Sequence, residues 1–170
     1  MKSRDVRMIA LITVMAAVVC TLTLVVQIPI PATGGYVHLG DAAANFAALA
    51  FGPWLGFLIA GGGMAIADLI GYPIFAPGTF VVHGLQAVVV AYLGRGRKPW
   101  VMLLAGVAGG LVVIAGYFVY EWLILGMGMV TAAKEIPGNI IQVSAGLVGV
   151  PVYMLVARAY PPLLRWAERG

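Results

Sequence analysis

From Met8 to Ile28 the chain runs without a charged residue, and comparable apolar runs recur along its length. About 20 apolar residues at ~1.5 Å rise match the ~30 Å hydrocarbon core of a bilayer, and only a helix satisfies its backbone within one such segment. Hydrophobic residues make up 62% of the chain and charged residues 9%, with mean hydropathy +1.03. Soluble domains carry roughly 45–50% apolar and about 25% charged residues. A chain of 170 residues therefore reads as an all-α integral membrane protein, a single membrane domain over 1–170 forming a compact bundle of six transmembrane helices.

The breaks place the helices. Helix 1 is expected over about 8–28, stopped by "IPIPATGG"; helix 2, over about 41–51, is too short to cross a bilayer alone. Helix 3 is expected over 53–70 with Pro53 in its first turn, and helix 4 over 80–93 after the loop "GYPIFAPGT", with Thr79 as its N-cap. Helix 5 follows over 100–125 and helix 6 over 139–159, kinked at Pro151. The N-terminal run is longer than a secretory signal core and lacks a small-residue cleavage pattern, so it reads as a retained helix. Cys20 has neither a disulfide partner nor zinc-ligand spacing.

The formal charge is +4, but no basic stripe with interleaved aromatics marks a nucleic-acid surface. The bases follow topology instead. With both termini cytoplasmic, alternating six spans puts Lys2, Arg4, Arg7, Arg95, Arg97, Lys98, Arg158, Arg165 and Arg169 inside and only Lys134 outside. Asp5 and Glu168 fall in the cytoplasmic tails, whereas His38, Asp41, Asp68, His83, Glu121 and Glu135 gather in the outer half.

Ionisable groups in a span cost about 2.5–3.5 kcal/mol on insertion scales and mark functional positions by default. Tyr36, Tyr72, Phe75, Tyr117, Tyr120 and Trp122 join them, either as an interfacial aromatic belt or as rings lining a pocket for a flat ligand. The cytoplasmic ends carry Trp54, Tyr92, Trp100, Tyr160 and Trp166 without comparable acids. Asn139 and Gln142 share a helix face, and Asn139 caps the helix or contacts ligand; Asp41 caps helix 2 or serves the site, with Asn45 one turn on. The runs "AGGGMAIA" and "AGVAGG" suit close helix packing and lack the Lys and Ser/Thr of a phosphate loop. His38, Asp41, Asp68 and His83 also permit a metal-handling or enzymatic reading, although H-x-x-D is not a specific ligand motif and no nucleophile–base pair stands out. A structural subunit with capping polar groups is the third reading.

The runs "GYVHLGD", "GPWLG", "ADLIGY" and "APGTFVVHGL", with "YE" at 120–121 and "PGN" at 137–139, resemble the substrate-binding S components of energy-coupling factor (ECF) vitamin transporters. The similarity spans nearly the whole chain and lies with the hydroxymethylpyrimidine, pyridoxine and riboflavin branch. It implies a substrate-capture subunit of a prokaryotic cell membrane, with no enzymatic activity and no cofactor, working with a transmembrane coupling subunit and two cytoplasmic ATPases. The implied ligand is a small heteroaromatic vitamin or precursor: hydroxymethylpyrimidine, a pyridoxine- or thiamine-like compound, or riboflavin. The implied substrate residues are Tyr36, His38, His83, Gln86, Tyr117, Glu121, Trp122, Asn139 and Gln142, with Gly35, Tyr72, Pro73 and Phe75 in lid loops. Two departures stand out. His83 occupies a position usually lysine, and the helix 1 coupling face, usually A-x-x-x-A, offers Thr13 to Ala17 and Ala16 to Cys20.

Overall fold

The computed structural model describes residues 3–161. Lys2, Arg165, Trp166, Glu168 and Arg169 lie outside the described residues. In chain order the elements are α1 (Ser3–Val25), β1 (Gln27–Ile30), β2 (Gly35–His38), α2 (Gly40–Phe51), α3 (Pro53–Gly71), α4 (Ala76–Gly94) and α5 (Pro99–Val119). A π-helical turn, Tyr120–Ile124, extends α5, and α6 (Met129–Ala133), α7 (Ile136–Gly146) and α8 (Gly149–Ala159) complete the set. With α7 and α8 forming one broken rod, this is a six-helix bundle.

Among the described residues five stretches are long and apolar enough to cross a membrane: Met8–Val25, Pro53–Gly71, Ala76–Gly94, Pro99–Ile124 and Met129–Ala159. The sixth helix, α2, has 12 residues and reaches only about 18 Å at ~1.5 Å per residue. It sits at the centre instead, packed on α1, α3, α4, α7 and α8. All of α2 except Ala42 and Phe46 is buried, and its alanines let five neighbours approach. Around this centre Leu49, Ile59, Met64, Val90, Val150 and Tyr153 form the main core, while Leu104, Leu111, Ile141 and Leu155 face outward, as lipid-facing residues do.

Several local expectations are corrected. The segment after α1 is a β-hairpin rather than a plain loop: β1 pairs antiparallel with β2 in the register Gln27↔His38, Ile28↔Val37, Pro29↔Tyr36 and Ile30↔Gly35. Gly34, at φ 75°, closes its turn with a bond from its N–H to the Ile30 carbonyl at 3.0 Å. Helix α4 starts at Ala76, not Phe80, because Pro77 lies in its first turn, where a proline costs no hydrogen bond. Thr79 is therefore inside the helix and not its cap. Likewise Asp41 and Asn139 do not cap: the N-cap positions are Leu39 and Glu135, neither making a side-chain cap bond.

Pro151 acts four residues upstream of itself. Its missing N–H and its ring both bear on the Leu147 carbonyl; the rod breaks between α7 and α8 there, and the Val150 N–H takes that carbonyl at 3.0 Å. The break brings Gly146 and Gly149 onto the start of α2. A Cβ on Gly149 would lie 2.8 Å from the Ala42 carbonyl carbon, a gap no side chain fits. Asn45 fastens the same crossing, its Nδ2 donating to the Gly146 carbonyl at 2.9 Å.

Candidate functional site

At the hairpin end of the bundle, polar side chains from six elements turn inward. Asp41, Asp68, Thr79, His83, Gln86, Glu121, Glu135, Asn139, Gln142 and His38 are all buried. Helical spacing explains the alignment: Thr79, His83 and Gln86 lie on one face of α4, Tyr117 and Glu121 four apart on α5 and its π turn, and Glu135, Asn139 and Gln142 along the start of α7.

Three networks organise these groups. Asp68, at the end of α3, accepts from the hydroxyl of Tyr36 and from Thr79 Oγ1 at 2.5 Å, and Thr79 Oγ1 lies 2.7 Å from the Tyr117 hydroxyl. On α4, His83 Nδ1 is 2.7 Å from Gln86 Oε1 and 3.1 Å from Asp41 Oδ1. Both neighbours are acceptors, so Nδ1 carries the proton, and Nε2 has no hydrogen-bond partner among the described residues. The third network ties the hairpin to α7. The His38 N–H donates to Gln142 Oε1 at 3.0 Å, and Thr33 Oγ1 donates to Glu135 Oε1. Gly35 lies where any Cβ would collide with Glu135, so glycine is what lets the carboxyl reach the hairpin.

The rings form a chain across the site. Tyr36 stacks on Tyr72 at 4.3 Å and meets His38 at 5.4 Å; His38 meets His83 at 5.5 Å, and His83 meets Tyr117 edge-on at 5.6 Å. His38 Nδ1 accepts the Gly40 N–H at 3.1 Å, which requires a neutral ring. Burial is the main cause holding its pKa down, to about 4, with His83 adding to the effect and Asp41 opposing it. Burial and the bond to Asp68 push the Tyr36 phenol well above its ordinary range.

Between these networks lies a cavity of about 20 Å³, room for one water. Of the residues named from sequence, Gly35, Tyr36, His38, Tyr117, Asn139 and Gln142 line it, with Phe75 from the 71–79 loop. Asp68 and Glu135 also line it; they were absent from the expected substrate set, although an acid in an apolar span was a signal for Asp68. Tyr72 reaches the site through Tyr36, while Pro73 is exposed. His83, Gln86 and Glu121 sit behind the lining, fully or almost fully buried. Trp122 faces away, 38% exposed, against Phe118 at 5.7 Å.

Unsatisfied atoms concentrate here. Asn139 Nδ2, His83 Nε2 and both carboxyl oxygens of Glu121 are buried without a hydrogen-bond partner, a pattern that marks a site awaiting a ligand, water or ion. Among the described residues no group of three or more His, Cys, Asp or Glu is arranged to hold a metal ion. On α1, Thr13 and Ala17 are exposed and Ala16 and Cys20 half-buried, with the Ala16 backbone against Gly63 of α3.

Comparison with known proteins bears on the whole chain. The family model described as "ECF-type riboflavin transporter, S component" matches residues 3–158. A Pyrococcus woesei protein described as "Uncharacterized protein in gap 3'region" is 36% identical over 148 residues, 85% of this chain and 99% of that one. Among solved structures, a chain from "Structure and mechanism of the S component of a bacterial ECF transporter" superposes with a TM-score of 0.69 at 20% identity, covering 96% of this chain and 99% of that one.

Proposed function

Because the chain belongs to the family of S components of ECF-type riboflavin transporters, membrane subunits that bind substrate for transport, we propose that its hairpin-end site captures a small heteroaromatic vitamin or precursor. The carrying observation is the set of buried unpartnered polar atoms, Asn139 Nδ2 and His83 Nε2, beside the rings of Tyr36, His38 and Tyr117. Flat walls with a few convergent polar groups suit a planar ring carrying nitrogens and hydroxyls. Hydroxymethylpyrimidine and pyridoxine- or thiamine-like compounds fit this chemistry; the family's own description favours riboflavin as the second reading.

A cavity of about 20 Å³ cannot hold such a ring, so binding opens the site. The movable wall is the 27–38 hairpin with the 71–79 loop, joined by the Tyr36–Tyr72 stack. Tyr117 supplies the stacking face, and Asn139, Gln142, His38 and Glu135 the polar contacts, with His83, Gln86 and Glu121 behind them. The hairpin end faces outside, since Arg95, Arg97, Lys98 and Arg158 cluster at the opposite end. The membrane is a prokaryotic cytoplasmic membrane. Energy comes from two ATPases through a transmembrane coupling subunit, which docks on the small-residue face of α1 at Thr13, Ala16, Ala17 and Cys20.

The test is a thermal-shift screen of the purified protein in detergent against B-vitamins and their precursors. A ligand at 100 times its Kd stabilises the folded state by about 2.7 kcal/mol. One strong hit that is lost in Asn139→Ala supports the reading; no shift with any compound, or a shift with divalent metals alone, overturns it.

A further inference from the structure

We propose that the ligand of this site carries a positively charged nitrogen, with Glu135, backed by Glu121, as its counter-ion: an amine-bearing nitrogen heterocycle rather than a neutral or anionic one. The inference rests on the binding reading above and narrows its substrate class.

Four carboxyls, Asp41, Asp68, Glu121 and Glu135, are buried at the hairpin end, each no more than 4% exposed. Asp41 has His83 at 3.1 Å. Asp68 has two hydroxyl donors, Tyr36 and Thr79. Glu121 and Glu135 lie in contact, and two carboxyls in contact share a proton, leaving one negative charge on the pair; among the described residues Thr33 donates to it, on Glu135. Among the described residues no Lys, Arg or His makes an ion pair with either. His38 brings no charge, because its Nδ1 accepts the Gly40 N–H. Lys134 adjoins Glu135 in sequence but is exposed.

A buried carboxylate without a partner is costly, and a cation set against it recovers that cost in a low-dielectric site. The second, independent observation is Asn139. It is 3% exposed, it lines the cavity with Glu135, and its Nδ2 has no acceptor. Asn139 follows Glu135 by one helical turn, its N–H on the Glu135 carbonyl at 2.9 Å, so the two side chains share a face. Together they offer a carboxylate beside an amide donor. The complementary ligand edge is a charged amine beside a ring nitrogen or hydroxyl acceptor. A neutral imide edge would satisfy the hydrogen bonds and leave the charge; a phosphorylated ligand would add a negative group to a site already rich in carboxyls.

The experiment measures binding to the purified full chain in detergent by calorimetry, using matched probes: pyridoxamine against pyridoxine, which differ by an ammonium for a hydroxyl, thiamine against riboflavin, and the phosphorylated forms. A cationic probe is expected to bind at least tenfold tighter than its neutral counterpart, with the preference reduced by added salt. Glu135→Gln is expected to lower cation affinity at least tenfold, and Glu135→Asp to retain part of it. A neutral or phosphorylated probe that binds best and binds Glu135→Gln equally well overturns the charge inference while leaving the binding function standing. Failure of every probe to bind overturns both. Selectivity of the unmodified protein decides the matter even where a variant does not fold.

Discussion

Thr79→Val tests whether the Asp68 network holds this end of the bundle together. Thr79 is fully buried, and its hydroxyl serves Asp68 at 2.5 Å and Tyr117 at 2.7 Å. Valine keeps the shape and removes both contacts. A hydrogen bond to a carboxylate contributes about 1.5–3 kcal/mol and a neutral one about 1 kcal/mol, so the loss is about 2–4 kcal/mol. At roughly 2–4 °C per kcal/mol for a chain of this size, the apparent Tm in detergent should fall by about 4–16 °C. Thr79→Ser is the control: it keeps the hydroxyl and loses one methyl, about 1 kcal/mol. Thermal unfolding followed by tryptophan fluorescence reads both variants. If Thr79→Ser falls as far as Thr79→Val, or Thr79→Val stays within 1 °C of the parent, packing and not the hydroxyl holds the site, and the network argument is refuted.

Other outcomes follow from particular contacts. Gly63→Ala should destabilise by at least 1 kcal/mol, since its Cβ would lie 2.6 Å from the Ala16 carbonyl oxygen and 2.9 Å from Val19 Cβ, whereas Gly62→Ala, with nothing within 4 Å, should be neutral or stabilising; equal Tm values would contradict the α1–α3 packing. His38 should make stability fall with acidification. Its pKa is about 4 in the fold against 6.5 ordinarily, so between those values the unfolded chain binds a proton that the folded chain does not, a loss approaching 3 kcal/mol at the low end. His38→Asn should flatten the dependence of Tm on pH from 7 to 4.5, and an unchanged slope would assign the effect elsewhere.

The helices were legible because a bilayer demands long uninterrupted apolar runs, and their punctuation by proline and glycine is local. What failed was every inference that treated a polar residue as serving its own helix end. Thr79, Asp41 and Asn139 have cap-forming side chains near helix starts, yet each lies within the first turn. Two bond across the bundle, Thr79 to Asp68 and Tyr117, Asp41 to His83, while Asn139 faces the cavity. The β-hairpin was equally hidden, because four-residue strands containing Pro29 and flanked by Gly34 look like loop until β2 is held from outside by Gln142. Pro151 announced a kink, but its carbonyl partner lies at Leu147, which shifted the break.

Within the site, residue types were legible and pairings were not. Glu121 and Trp122 were both expected to face the ligand, but successive helical residues point about 100° apart, and the carboxyl takes the inside while the indole faces out. Glu135 was placed in the outer half but left out of the substrate set, because it follows Lys134 in a connecting segment; its engagement with Thr33 spans 102 positions. The histidine at position 83 shows how far such pairings carry. A lysine there would place a permanent cation among Asp41 and Asp68. The imidazole instead gives one nitrogen to Asp41 and Gln86 and leaves the other unpartnered, so among the described residues His83 is the basic side chain set against these buried carboxyls. Among the described residues no basic side chain pairs with Glu135, and the cation we propose for the ligand would fill that place beside Asn139.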